Sequence, residues 1–375
     1  MRLRGLLVAI SIVLSCNPAR AADGWIATAL HRIPADTEVW GKLHRFEIVD
    51  VEALKAVAGV GPGVRFSDFL EQRLSADDQR AVAAFLWRLS STVGFYKFLG
   101  REPYGWSEYL GTDFLQIDWF SEIGVPPDRV LLLGGDALPS GEALAVLAKA
   151  GLAPIQRGGR TIWARVDDRA SEEAVLPGFP FWGWLGQPVK IFRSSEALVG
   201  AQSWASFDLM MAMEDGGIES LADLPRYRLA VEAATMADCS SGPLLQMAFV
   251  DVGVVVIDDD RTTEQMPSYD LLALASREDS ASQQVLTILT YGDDVQTAEF
   301  VAERLAGVLA VPDERGKKLT DYFQSLQAES FVVTTEDGTA AVLCMTAPHE
   351  PLKLSGGVVW NPQPLYLHLL RQMRP

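Results

Sequence analysis

Enzymes that work at neutral pH need a nucleophile, a proton carrier, a metal cage or a charged cradle, and this chain carries fragments of each. Its histidines, His31, His44, His349 and His368, are widely scattered. "HEPLK" at 349–353 starts like the zinc-binding HExxH helix but lacks the second histidine one turn on that would reach the same ion. "DCSSG" at 238–242 sets Cys239 beside two serines, yet Gly242-Pro243 marks a loop that ends a helix, and no base stands nearby to activate a nucleophile. No GxSxG nucleophile elbow is present. Asp258, Asp259 and Asp260, with Asp251 upstream, form the densest carboxylate run. Three consecutive carboxylates cannot all face one ion, and the alternating ligands of a calcium loop are missing, so a solvated strand end is expected there. Asp113 and Asp118 are a conceivable acid/base pair, but no feature selects them. No catalytic residue, metal ligand or cofactor is assigned on these grounds.

Two further stretches draw attention. "RVLLLGGDALPSG" (129–141) runs from an apolar strand into a glycine pair and then a helix, as phosphate loops do. A phosphate loop needs four residues between its glycines and then a lysine to neutralise the phosphates. Here five residues separate Gly135 from Gly141, Glu142 stands in the lysine's place, and Asp136 adds a second negative charge. A tight strand-to-helix corner fits better. "LPGFPFWGWLGQP" (176–188) clusters Phe179, Phe181, Trp182 and Trp184 among glycines and prolines. These four are the candidate binding residues: on a loop they would grip an apolar ligand, a glycan or a protein partner. Alternatively they cap a sheet as core.

The elements that must position such residues can be read from periodicity. "TEVWGKLHRFEIVD" (37–50) reads as a strand, with Asp50 as N-cap of the helix that follows. Residues 24–100 look mostly helical after that strand, and 100–129 look irregular. From 129 onward strand, helix and hairpin alternate. Hairpins are expected at Gly158-Gly159, across "SSEA" (194–197) and at Asp337-Gly338, helices over 203–214, 226–237, 296–309, 319–328 and 364–373, and strands over 242–260, 269–279 and 283–292. Residues 129–151 align without a gap on 286–308, matching Leu132 with Leu289, Gly135 with Gly292, Asp136 with Asp293, Glu142 with Glu299 and Ala145 with Ala302.

The expected architecture is therefore α+β: mainly antiparallel sheets with helices packed on one face, and an internal duplication of a ferredoxin-like or split βαβ unit. The expected division is a signal peptide (1–22), a mostly helical segment packed on the first unit (23–125), a first α/β unit (126–241) and a second (242–375).

The address is clearer than the activity. Arg2 and Arg4 precede the apolar core "GLLVAISIVLS" (5–15), the layout of an export signal. It ends either by cleavage after Ala21, in the small-x-small triplet Ala19-Arg20-Ala21, or by lipid attachment at Cys16 in "VLSC". Cys239 and Cys344 are left as a candidate disulfide, long-range and suited to an oxidising compartment. The two asparagines, Asn17 and Asn361, both precede proline, so no N-glycosylation acceptor exists, and arginine far outnumbers lysine. A Gram-negative periplasm is the expected location, with a lipid-anchored form as the alternative. A net charge of −17 disfavours nucleic acid and anionic lipid, leaving Cys16 as the one expected route to a membrane. The expected function is an exported, non-enzymatic envelope protein that binds a protein partner or small ligand. The alternatives are an extracytoplasmic hydrolase with a carboxylate site and a lipid-anchored structural component.

Overall fold

Among the described residues of the computed structural model, an antiparallel sheet of twelve strands forms the centre of the fold. The structure describes residues 24–36, 46–74, 105–124, 127–165, 179, 181, 188–237, 242–250, 267–279, 281–305, 307, 309, 316–323, 325–348, 351–354 and 357–360. The leader, Cys16, Cys239, Trp182, Trp184, Asp251, the Asp258–Asp260 run and the 364–373 segment lie outside them.

The strands are β1 (Phe46–Asp50), β2 (Trp119–Ile123), β3 (Val130–Gly134), β4 (Ala153–Arg157), β5 (Arg160–Ala164), β6 (Lys190–Arg193), β7 (Ala197–Ala201), β8 (Leu244–Val250), β9 (Leu271–Glu278), β10 (Ser282–Thr290), β11 (Gln327–Thr335) and β12 (Gly338–Pro348). Their spatial order is β11-β12-β10-β9-β8-β1-β2-β3-β7-β6-β5-β4. Two short strands, β13 (Pro351–Leu354) and β14 (Gly357–Trp360), pair separately. The helices are α1 (Gly24–Leu30), α2 (Val51–Val57), α3 (Phe66–Leu74), α4 (Gly105–Leu110), α5 (Trp204–Glu214), α6 (Pro225–Met236), α7 (Val295–Leu305) and α8 (Leu319–Tyr322), with a 3-10 run over Gly141–Ala150.

The sheet is an α+β one, and β8 beside β1 joins its two halves. Each half has three strands that are neighbours in chain order, then a helical segment, then a hairpin whose second strand returns beside the third. Thus β10, α7 and β11 form a split βαβ arrangement with β12 between the two strands. β3, the 3-10 run and β6 do the same around β7, with the extra hairpin β4–β5 on the outer side. A ferredoxin-like unit, two βαβ passages in series, is not what precedes this in the second half: β8, β9 and β10 pair in sequence. The shared order concerns topology alone. Gly135 and Gly292, matched in sequence, leave their strands with φ of 140° and 52°, so the two corners turn differently.

One expectation needs correction. Helices cover both faces of the sheet, not one, because nearly every strand is apolar on both sides. In β12, Ala340, Val342 and Cys344 join the core that includes residues of α1, α5 and α6, while Ala341, Leu343 and Met345 join the core under α7 and α8. A third cluster buries α2, α3, α4 and the 3-10 run on the α7 side of the first half. The segment 23–125 supplies β1 and β2, the two inner strands of the first half, along with α1 to α4. β2 was missed because Trp119, Phe120 and Ile123 sit in a glycine- and proline-rich stretch where aromatics mimic loop composition.

Local chemistry explains the joints. Asp50 caps α2 by accepting a hydrogen bond from the Ala53 amide at 2.8 Å. In β8 a bulge between Leu244 and Gln246 disrupts the alternation, placing both Leu245 and Gln246 away from the α6 core.

Candidate functional site

The candidate site is the outer edge of β11. "SFVVTT" (330–335) is rich in β-branched and aromatic residues, which favour a pleated strand. It turns into β12 through the two-residue loop Glu336-Asp337, with Thr335 opposite Gly338. Gly338 has φ 130°, and a Cβ there would lie 2.6 Å from the Gly292 carbonyl oxygen, so glycine is required. α6 pins the turn: Arg228 donates Nε to Asp337 Oδ2 at 2.7 Å and Nη2 to Asp337 Oδ1. That grip holds the Asp337 carboxyl below the usual carboxylate range and raises the Arg228 guanidinium.

The direction of the edge's hydrogen-bonding groups follows from the ladder. The Thr339 amide donates to the Gly292 carbonyl, and the Thr339 carbonyl accepts from the Tyr291 amide, so Thr339 faces the β10 side. Antiparallel alternation then turns Gly338, Ala340, Val342 and Cys344 toward β11, where they meet Thr335, Val333, Phe331 and Glu329. The intervening residues Ala328, Ser330, Val332 and Thr334 must point their N–H and C=O outward. Among the described residues nothing pairs with them. Ala328 and Thr334 are exposed, and Ser330 and Val332 half-buried.

The opposite edge is closed by design. β4 is five residues long, holds Pro154, and ends at Arg157, which is paired with Asp208. Short length, proline and charge are the usual guards of a strand edge. β11 is nine residues long, with no proline and no lysine or arginine.

A second polar feature crosses the sheet at the junction of the halves. Gln246 of β8 donates Nε2 to Glu47 Oε2 of β1 at 2.6 Å. Glu47 stands opposite Glu122 of β2, and Arg129 pairs with Glu122 at 3.2 Å. The Gln202 amide continues the ladder onto the Arg129 carbonyl, while its buried side-chain amide makes no hydrogen bond among the described residues. Glu47, Gln246 and Gln202 are buried and Glu122 and Arg129 half-buried; sequence patterning missed them, although Glu47 stands out as the charge inside "FEIV".

The residues singled out from sequence are placed as follows. Phe179 and Phe181 are core: Phe179 meets Tyr109 edge-on at 5.4 Å, and the Phe181 ring lies where a Gly200 side chain would be. Neither ring faces solvent, and Trp182 and Trp184 are not among the described residues. Asp113 is a cap, accepting from the Leu115 and Phe66 amides, and burial raises its carboxyl. Asp118 instead meets the Gly134 carbonyl through its backbone amide. Cys344 is disulfide-bonded, whereas Cys239 and Cys16 lie outside the described residues. Ser220 Oγ lies 3.4 Å from His31 Nδ1. Burial pushes the Tyr269 hydroxyl up to about 12 and raises that of Tyr291 as well. Among the described residues no three His, Cys, Asp or Glu side chains gather into a metal site, and no helix is long and apolar enough to cross a membrane.

No family model and no curated relative matches the chain. Among solved structures, crystal forms I, III and IV of the Treponema protein TP0453 superpose with TM-scores of 0.35, 0.34 and 0.33. Identity is 10%, 9% and 10%, over 85% of this chain and 92%, 92% and 95% of the other. Likeness at that level does not establish a common fold.

Proposed function

We propose that this is an exported, non-enzymatic envelope protein that binds a protein partner by taking an extended segment of it as an additional strand beside β11. The observation that carries the reading is the open row of backbone groups at Ala328, Ser330, Val332 and Thr334. Strand addition derives affinity from main-chain hydrogen bonds and specificity from alternate side chains. The leader-like start and the disulfide at Cys344 support an oxidising, extracytoplasmic location, with Cys239 as its partner. The periplasm, with or without a lipid on Cys16, is the proposed address.

A photo-crosslinking residue in place of Thr334, expressed in the native host, tests the reading. It should give an adduct whose mapped peptide is an extended stretch of another protein. Adducts at an exposed control position such as Gln296 but none at 334 would refute it. Mass spectrometry of the mature N-terminus tests export: a start at Ala22 or an acylated Cys16 supports it, and an intact Met1 chain contradicts it.

A further inference from the structure

We infer that the occupant of the β11 edge is a cationic extended segment of a partner protein, apolar at alternate positions, and not a second copy of this chain; this rests on the strand-addition reading. Three observations carry it.

The first is charge. The chain bears 49 acidic and 32 basic residues, so two copies brought edge to edge repel. Locally, Gln327 through Gly338 contains Glu329, Glu336 and Asp337 and no basic residue. Asp337 is taken by Arg228, while Glu329 and Glu336 are exposed and unpaired among the described residues. Of the two helices that pack on β11 and β12, α7 exposes Glu299 and Glu303 beside Arg304, and α6 carries Arg226 and the Arg228 taken by Asp337, so the acidic groups outnumber the basic ones. An added strand thus enters an acidic margin.

The second is side-chain alternation. Phe331 and Val333 pack toward the α6 core and Val332 toward the α7 core, each only partly covered except Val333. A neighbouring strand extends both layers, and its residues opposite Phe331 and Val333 gain most from being apolar.

The third is the mismatch with the β4 edge of a second copy, the pairing of β11 with β11 being the one that charge opposes. A neighbour offering β4 would present Pro154, which has no N–H, and Arg157 and Arg160 are already paired with Asp208 and Asp215.

The test uses the full mature chain and two labelled eight-residue peptides, one alternating valine with lysine and one alternating valine with glutamate, read by fluorescence anisotropy. The lysine peptide should bind at least about tenfold more tightly than the glutamate peptide, and Glu329→Lys should narrow that ratio. Ser330→Pro removes one outward N–H without touching the β12 ladder, and should weaken the lysine peptide by about tenfold or more. Ala328→Pro is the second variant if the first melts early. If both peptides bind alike and both lose binding in Ser330→Pro, the charge inference falls and strand addition stands. If the lysine peptide binds equally well to folded Ser330→Pro and Ala328→Pro, the edge reading itself falls. A dimer in sedimentation that Ser330→Pro converts to monomer would make a second copy the occupant and overturn the inference.

Discussion

Gln246 donates its side-chain amide to the Glu47 carboxylate at 2.6 Å, across the one strand pair that joins the two halves of the sheet. Both side chains are buried, Glu47 to 3% and Gln246 to 0% exposure. A buried carboxyl group depends on its hydrogen-bond donors, since each one lost removes part of what offsets its desolvation. Replacing Gln246 with leucine keeps the bulk and deletes the donor. It should cost about 1.5–3 kcal/mol, seen as a lower urea midpoint at unchanged slope. A loss under about 0.5 kcal/mol would mean the bond is incidental to the junction.

The Arg228–Asp337 pair makes the β11–β12 turn sensitive to acid. The native Asp337 carboxyl titrates below its ordinary range, chiefly through its hydrogen bond to Arg228. Its stabilising contribution is therefore fully present above the unfolded value of about 4, and is lost as pH falls through the lower native value. The stability difference between the parent and Asp337→Asn should be constant from neutral pH to about 5 and shrink below about 4. A difference that persists unchanged to the acid limit would assign the turn's stability to something other than this pair.

Phe181 and Gly200 interlock more tightly than any side chain allows. A Cβ on Gly200 would sit 2.0 Å from the Phe181 ring, and one on Gly134 would sit 2.0 Å from the Trp119 indole. Both glycines are spaces that aromatic rings fill. Gly200→Ala and Gly134→Ala should each destabilise the fold by about 1–3 kcal/mol through overpacking. Pairing Gly200→Ala with Phe181→Leu should recover part of the loss. Strict additivity of the two would argue against the ring as the cause.

Cys344 sits in the middle of β12, facing the α6 core, and is disulfide-bonded. Peptide mapping of the unreduced protein should recover a Cys239–Cys344 linked pair. A free Cys239 would require Cys344 to find its partner elsewhere.

How far the sequence reveals this fold depends on where apolar periodicity speaks. The hairpins at Gly158-Gly159 and 194–196 were legible because turn residues sit between short apolar runs, and α5 and α6 because their spans carry start signals at Ser203 and Pro225. Helix 319–328 proved to be only Leu319–Tyr322, with β11 already beginning at Gln327, since helical and strand preferences overlap in a short amphipathic stretch. The two-faced burial was hidden because strands apolar on both sides lose the alternation that reports a single covered face. Phe179 and Phe181 sit in a stretch that reads either as a surface grip or as core, because their burial depends on Gly200 and Tyr109, which lie outside that stretch. The open edge was invisible for a similar reason. Residues 327–335 spell a strand, but which strand is outermost is a property of the whole sheet.

Residue-resolved amide hydrogen exchange tests the open edge most directly. The amides of Ala328, Ser330, Val332 and Thr334 should exchange at least about tenfold faster than those of Phe331 and Val333, which face β12, and should become protected when the lysine-bearing peptide is added. Equal protection of both sets in the free protein would show that the edge is already covered, and would contradict the account.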